Sequence, residues 1–334
     1  MTAVNQIIPV FIPHLGCPHD CVFCNQKRIS GSLLPACPED VTRALETGLK
    51  KCSRPPELAF YGGSFTAIPA AEQEALLNAA APYMASGRLR AIRLSTRPDA
   101  ISWDILRLLI SHGVFTVELG AQSMDDRVLY ESGRGHRAED TVRAAEMIKK
   151  SGLKLVLQMM TGLPGSDAAS DVETAERIAA LEPDGVRIYP TVIIRDTELF
   201  DMWRRGEYRE HTVEDAVSVC AEILPIFRRA GIPVIRLGLN PTDDLTGGDA
   251  VAGAYHPALG ELVISRIMLQ KAQKLMEERG ASLGTEATLG VHRSRVSAMV
   301  GQHRQNKAAL MARFGLRKLR VVECDAEPDE IKLF

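Results

Sequence analysis

Six short apolar runs recur along this chain, separated by stretches with helical periodicity. The runs are IIPVFIP (7–13), LAFYGG (58–63), IRLST (92–96), TVELGAQS (116–123), KLVLQMMTGLP (154–164) and GVRIYPTVII (185–194). Between them lie AEQEALLNAAAPYM, WDILRLLISHG, AEDTVRAAEMIKKSG and DVETAERIAALE, several closed by glycine, the usual residue just past a helix end. Strands alternating with helices of this length demand βαβ units and a parallel sheet. PVIRLGL (233–239) is a candidate seventh strand. Periodicity alone leaves two outcomes, an open doubly wound sheet or a sheet curled into a barrel. In both, ligands collect at the C-terminal ends of the strands. Those ends carry HLGC, GGSF, STRP, GAQS, TGLPG and YPT, so the active site is expected there.

The rhythm changes near residue 240. A Gly- and Asp-rich segment (240–260) reads as a loop, a helix follows (261–280), and a smaller α/β tail ends the chain. The expected organisation is a barrel over 1–240 and an extension over 241–334 that serves as a lid and contacts RNA.

Apolar residues make up 46 % of the chain and charged residues 25 %, a balance that excludes disorder and fits a globular protein. The net charge of −2 gives no global pull toward nucleic acid or membrane. No basic, apolar leader opens the chain, and no run approaches the roughly 18 consecutive apolar residues of a membrane helix. The expected compartment is the cytoplasm, where thiols stay reduced.

That compartment bears on the cysteines. Seven is an odd number, and three of them, Cys17, Cys21 and Cys24, crowd into one loop as C-x3-C-x2-C. A disulfide framework does not fit. Buried structural cysteines would scatter with the core pattern. Zinc, with His14 or His19 as fourth ligand, is one reading. A [4Fe–4S] cluster held by three thiolates is another, and it leaves one iron open. Cys37, Cys52, Cys220 and Cys324 are isolated, and Cys220 falls on an apolar helix face.

The spacing, with Phe23 just before the last cysteine, resembles the signature of the radical S-adenosylmethionine (SAM) superfamily. The resemblance implies a partial (β/α)6 TIM-type barrel with a small C-terminal α/β extension, and the cluster loop after the first strand. It implies that the open iron binds the amino and carboxylate groups of SAM, and that one electron cleaves SAM to methionine and a 5′-deoxyadenosyl radical. A low-potential donor such as flavodoxin or ferredoxin would supply that electron. Further matches follow in order. YGGSF places Gly62, Gly63 and Ser64 where the family binds the SAM amino group. Ser95 stands where the family often has an acid. Gln122 in GAQS, Arg134 in SGRGH and Gln158 on the fifth strand match groups that contact the SAM ribose and carboxylate. The chemistry agrees, since a carboxylate pairs with arginine and ribose hydroxyls bond to amides.

Within the superfamily, VELGAQS, MMTGLPG and RIYPTVIIRDTELFDMWRRGEY are most similar to the branch that holds the Elongator catalytic subunit and its bacterial relatives, over about residues 7 to 240. That subunit carries an acetyltransferase domain and a basic N-terminal extension. This sequence ends too soon for the first and has six residues before its first strand, so acetyl transfer is not expected. Between Gly290 and Arg320 stand Arg293, Arg295, Arg304, Lys307, Arg313, Arg317, Lys318 and Arg320, with no acid among them. Such an imbalance in a near-neutral protein is a candidate footprint for tRNA or other RNA. Tyr189 and Arg195 on the sixth strand and its exit, and Tyr255 and His256 on the loop beyond, are candidates to face substrate. The alternative reading is a non-catalytic protein that binds an iron–sulfur cluster, SAM or RNA on the same fold.

Overall fold

The structure is a computed structural model that describes residues 6–12, 17, 19–24, 35–239, 249–280 and 284–334. Seven parallel strands form one curled half-barrel. They are β1 (Ile7–Ile12), β2 (Glu57–Gly62), β3 (Ala91–Thr96), β4 (Val114–Gln122), β5 (Lys154–Thr161), β6 (Gly185–Pro190) and, beyond β7 (Val192–Ile194), β8 (Val234–Leu237). Each strand pairs with its predecessor in the sheet, in the order β1-β2-β3-β4-β5-β6-β8. The candidate seventh strand is therefore real, and the choice between open sheet and barrel falls to the barrel-like curl.

Helices α1 (Pro38–Gly48), α2 (Ala70–Ala85), α3 (Trp103–Ser111), the short α4 (Asp126–Glu131), α5 (Ala138–Lys150), α6 (Ala168–Ala180), α7 (Glu198–Arg204) and α8 (Val213–Arg229) fill the connections. Their starts are written in the sequence. Ser102 accepts from Ile105 N at 3.3 Å, Asp167 from Ser170 N at 2.8 Å and Thr212 from Asp215 N at 3.1 Å, each satisfying an orphan N–H of a first turn. The strands alternate. Ile8, Val10 and Ile12 of β1, with Leu58 and Phe60 of β2, join Val41 and Leu45 of α1 in the main core.

The inner face is different, and composition does not announce it. Arg93 donates to Glu57 at 3.0 Å and to Glu118 at 2.8 Å, and Arg187 donates to Glu118 at 2.7 Å. The Tyr61 hydroxyl donates to Glu118 at 3.1 Å and accepts from Arg187 at 3.3 Å. Burial works against charge on Arg187, and Glu118 overrides it, so the guanidinium stays cationic. Burial, reinforced by Glu118, pushes the Tyr61 phenol well above its ordinary range, so it stays neutral. Each of these buried charges has a partner of opposite sign, which is the condition for tolerating it.

The sixth apolar run is divided. Thr191 leaves the sheet, its N–H and hydroxyl both bonded to Thr161 O at 2.9 and 2.7 Å. The chain then forms β7, which pairs antiparallel with β9 (Ala250–Gly253). The expected loop at 240–260 thus holds a strand, and its residues 240–248 lie outside the described ones.

Helix α9 (Leu259–Arg279) leads into a three-stranded sheet, ordered β11 (Lys318–Glu323), β10 (Glu286–Val291), β12 (Ile331–Leu333), with α10 (Val296–Val300) and α11 (Gln305–Phe314) between β10 and β11. Leu259, Val263 and Ile267 of α9 belong to the main core, while Met268, Ala272 and Met276 belong to a second core under the small sheet. Among the described residues no helix is long and apolar enough to cross a membrane.

Candidate functional site

The C-terminal ends of the inner strands enclose a cavity of about 170 Å³. Its walls hold Cys17, Cys21, Phe23 and Cys24 on one side. Gly62, Gly63, Ser64, Ser95, Gln122, Arg134 and Gln158 stand around them. Every residue matched to the cluster or to SAM therefore meets at one place, although they come from a loop, four strand ends and the loop after α4. His19, Thr96, Arg97 and Gly120 also line it.

The cysteine loop is tied down from several directions. Cys24 N donates to Cys21 O at 3.0 Å, which closes a tight turn. Val22 N donates to Ser132 O at 3.1 Å, and Leu199 N donates to Val22 O at 2.8 Å. Val22 and Phe23 pack with Ile193, Leu199 and Tyr208. The SGRGH stretch is glycine-rich because the loop lies on it. A Cβ on Gly135 would stand 2.2 Å from the His19 ring, and Gly135 also has a φ of +71°. At the opposite wall, Gly62 has a φ of +97°, and a Cβ there would meet Ile12 O at 2.8 Å. Gly62 thus lets β1 and β2 approach at the cavity rim.

Three contacts give the site its polarity. Cys17 Sγ lies 3.6 Å from Ser64 Oγ. Arg134 Nη1 donates to Cys21 Sγ at 3.3 Å, and its Nη2 donates to Gly120 O at 2.7 Å. Gln158 Nε2 donates to Gln122 Oε1 at 2.9 Å. Gln122 follows a register shift in β4 and sits at a φ of +65°, a region that side chains other than glycine rarely adopt. The bulge turns this one side chain toward the cavity.

Behind the cavity, Arg97 pairs with Asp99 through Nε and Nη2 at 2.9 and 3.1 Å. Burial opposes charge on Asp99, and the Arg97 hydrogen bond and charge hold its carboxyl below the usual range. Burial, with Arg134 and Arg97 adding to it, drives His136 down to about 4, so the imidazole is neutral at pH 7. Sequence reasoning misses both Arg97 and His136. The one signal for Arg97 is its place in STRP, at a strand end with the other unusual residues.

The substrate-facing candidates sit elsewhere. Tyr189, Arg195, Tyr255 and His256 do not line this cavity. Tyr189 reaches Arg187 Nη1 at 3.4 Å and packs with Val128, Met160 and Leu163 beside Phe23. Arg195 is exposed, its backbone N–H bonded to Asp249 O at 2.9 Å. The Tyr255 hydroxyl is buried without a hydrogen-bond partner among the described residues. His256 Nδ1 accepts from Ala258 N at 3.1 Å just before α9. A larger cavity, about 520 Å³, lies behind the GLPG loop among Asp171, Tyr208 and His211, and it contains none of the three loop cysteines. Size therefore does not choose the site; the donor atoms do.

A model of the radical SAM superfamily matches residues 11–178, and one of the radical SAM C-terminal domain matches 183–269. The chain belongs to the radical SAM superfamily. This radical SAM chain is 28 % identical over 319 residues to the tRNA uridine(34) acetyltransferase of Methanocaldococcus infernus, covering 82 % of the chain and 57 % of that protein. Over 179 residues it is 30 % identical to human Elongator complex protein 3, covering 53 % of the chain and 32 % of that protein. The solved structure of M. infernus Elp3 lacking its N-terminus superposes with a TM-score of 0.61 at 26 % identity, over 87 % of this chain and 67 % of that one. The expected Elongator-like branch and the half-barrel are both borne out. The radical SAM chain spans little more than half the length of the archaeal relative, and a third of the human one.

Superfamily membership implies an enzyme with a [4Fe–4S] cluster, SAM and a reductant. The donor set fits that group. Cys17, Cys21 and Cys24 form no disulfide, are all half-buried, and all face one cavity. His19 lines the same wall, and His14 lies outside the described residues.

Proposed function

We propose that this radical SAM enzyme acts on RNA, with tRNA as the substrate class. The observation that carries the reading is a set of basic side chains on the C-terminal unit. Arg293, Arg304, Lys307 and Arg320 have no side-chain partner within the described residues, and Arg293, Arg304 and Arg320 are exposed. Arg313 is paired with Glu277, and Arg295 donates to Pro328 O, so the patch is smaller than the sequence count. Arg304 and His303 both sit at positive φ, 61° and 48°, on an exposed turn. Strained exposed backbone of this kind gathers at binding surfaces. The names of the archaeal relative, which acts on tRNA, and of human Elongator complex protein 3 support the same class.

In this reading Cys17, Cys21 and Cys24 hold the cluster. Gly62, Gly63 and Ser64 receive the SAM amino group, and Ser95, Gln122 and Gln158 receive the ribose. The chemistry a bound cluster would supply is one-electron reduction of SAM, which would yield methionine and a 5′-deoxyadenosyl radical. The chain's own part is to orient and to exclude. The Gln122–Gln158 pair fixes two amides on adjacent strands, so the ribose meets groups already in place. Phe23 gives the cavity wall an apolar side, and Val128, Met160, Leu163 and Tyr189 pack behind it. The extension from residue 241 carries the RNA contacts and closes over the barrel, with Arg195, Tyr255 and His256 facing substrate. A flavodoxin or ferredoxin supplies the electron, and the cytoplasm is the compartment.

The test has two arms. Protein reconstituted anaerobically with iron and sulfide is given dithionite and SAM, and 5′-deoxyadenosine is measured by chromatography with Cys24→Ala as control. Filter binding of tRNA is then titrated across salt for the wild type and for Arg293→Glu with Arg320→Glu. Binding that weakens steeply with salt, and further in the double variant, supports the RNA reading. Binding that ignores salt and both substitutions removes it.

A further inference from the structure

Arg134 stands where the resemblance expects a contact to SAM, yet two of its three nitrogens are already committed within the protein. Nη1 donates to Cys21 Sγ at 3.3 Å and Nη2 to Gly120 O at 2.7 Å. Its main-chain carbonyl accepts from Arg97 Nη2. Arg97 in turn is held from behind by both oxygens of Asp99. The result is one continuous relay, Asp99 to Arg97 to Arg134 to the sulfur of Cys21. Both arginines are interior, 2 % and 7 % exposed.

The charges in this relay do not balance. Among the described residues the relay holds two guanidiniums and one carboxylate, which is bonded to Arg97 alone, and Nη1 of Arg97 and Nε of Arg134 are buried with no partner. A protein does not bury two like charges beside three thiols without a reason, because unpaired buried cations are costly. The cost is offset when the thiols become thiolates and negative charge collects in the cavity. Hydrogen bonds to cluster sulfurs and nearby positive charge both favour the more negative, reduced state.

We infer that Arg134 is a positioning residue for the iron–sulfur centre, and that its N–H to Cys21, braced by Arg97 and Asp99, raises the reduction potential of the bound cluster. The inference rests on the reading that Cys17, Cys21 and Cys24 hold that cluster. The step it eases is one-electron reduction by a low-potential donor: the donor loses one electron, the cluster gains it, and no bond or proton changes place. Arg134 stabilises the added negative charge by a hydrogen bond, and Arg97 keeps Arg134 in reach of the sulfur.

The experiment is a redox titration of the reconstituted full chain without SAM, with dithionite as reductant and the reduced cluster read by electron paramagnetic resonance. Arg134→Gln and Arg97→Gln are expected to lower the midpoint, and Arg134→Lys to lower it less, since it keeps the charge and loses the fork. Asp99→Asn is expected to raise it, because the amide oxygen still accepts from Arg97 and keeps the brace while the positive charge of Arg97 is left uncompensated. Shifts of opposite sign on the two ends of one relay are not what loosened packing produces. Midpoints equal to wild type, or shifts of the same sign in Arg97→Gln and Asp99→Asn, overturn the inference. Iron content that falls in Arg134→Lys while the midpoint in Asp99→Asn stays at the wild-type value assigns Arg134 to holding the loop alone, and also overturns it. A wild-type chain that takes up no cluster sinks the cysteine reading itself, an outcome visible before any variant is made.

Discussion

Gln158 donates a 2.9 Å hydrogen bond to Gln122 across two neighbouring strands, and Gln122 reaches that position only because its backbone is left-handed at a φ of +65°. A non-glycine residue held there costs about 1–2 kcal/mol. The strain and the function are therefore separable. Gln122→Gly is expected to keep or raise the melting temperature while weakening SAM binding by about 3- to 10-fold, the worth of one hydrogen bond. Calorimetry and equilibrium dialysis check the two halves. A variant that loses stability and binds SAM as before would show that the bulge serves the fold alone.

The three cysteines should behave as a set. Cys17→Ala, Cys21→Ala and Cys24→Ala are each expected to lose most bound iron and all detectable 5′-deoxyadenosine. Cys37→Ala, whose thiol donates to Asp40 at 3.2 Å at the start of α1, is expected to retain both. Iron analysis beside chromatography measures this. Zinc in place of iron in anaerobically purified protein would defeat it.

Removing one acid from the inner face should be expensive. Glu118 receives Arg93, Arg187 and Tyr61. Glu118→Gln leaves two buried guanidiniums with weakened partners, and a loss of about 3–5 kcal/mol in urea unfolding is expected. A loss under about 1 kcal/mol would mean that water reaches the network.

Asp171 supplies a pH dependence of definite sign. Burial drives its carboxyl far above the ordinary carboxylate range, up to about 7, against the Gly162 N–H that it accepts. The folded chain therefore binds this proton more tightly than the unfolded one. Stability from this group is full below about pH 4, declines as pH rises, and levels above about pH 7. Asp171→Asn is therefore expected to match wild type near pH 4 and to exceed it at pH 8 by a few kcal/mol, since each tenfold difference in proton affinity is worth about 1.4 kcal/mol. Melting curves at the two pH values decide it. His136, lowered to about 4 by burial, acts in the opposite direction, its contribution fading as pH falls from 6.5 to about 4.

The half-barrel was readable because each of its strands carries its own apolar run and several helices, those opened by Ser102, Asp167 and Thr212 among them, their own cap. Gln122, Gln158 and the three cysteines were readable because they lie in short local patterns. The inner ionic network was not. Arg93, Glu118 and Arg187 are single charges inside apolar strands, separated by whole βα units, and only the curl of the sheet brings them together. Arg97 was hidden for a similar reason, since its partners are Asp99 two residues on and a carbonyl on a distant loop. Thr191 interrupts the sixth run with only Pro190 before it as a sequence mark, and what holds the chain where it leaves the sheet, a hydroxyl bonded to the neighbouring strand's end, is not visible in the pattern.

Helix α9 has one end in each of two cores, with Ile267 and Met268 on either side of the change. Its 21 residues make a rod about 30 Å long. A rod clamped at both ends behaves as an axle. The small sheet cannot swing or slide against the barrel without bending the helix or shearing one of its two packed seats. Whatever docks on the C-terminal unit is thereby held in a fixed register to the mouth of the barrel, and a single insertion or deletion within α9 would turn the two apart by about 100°.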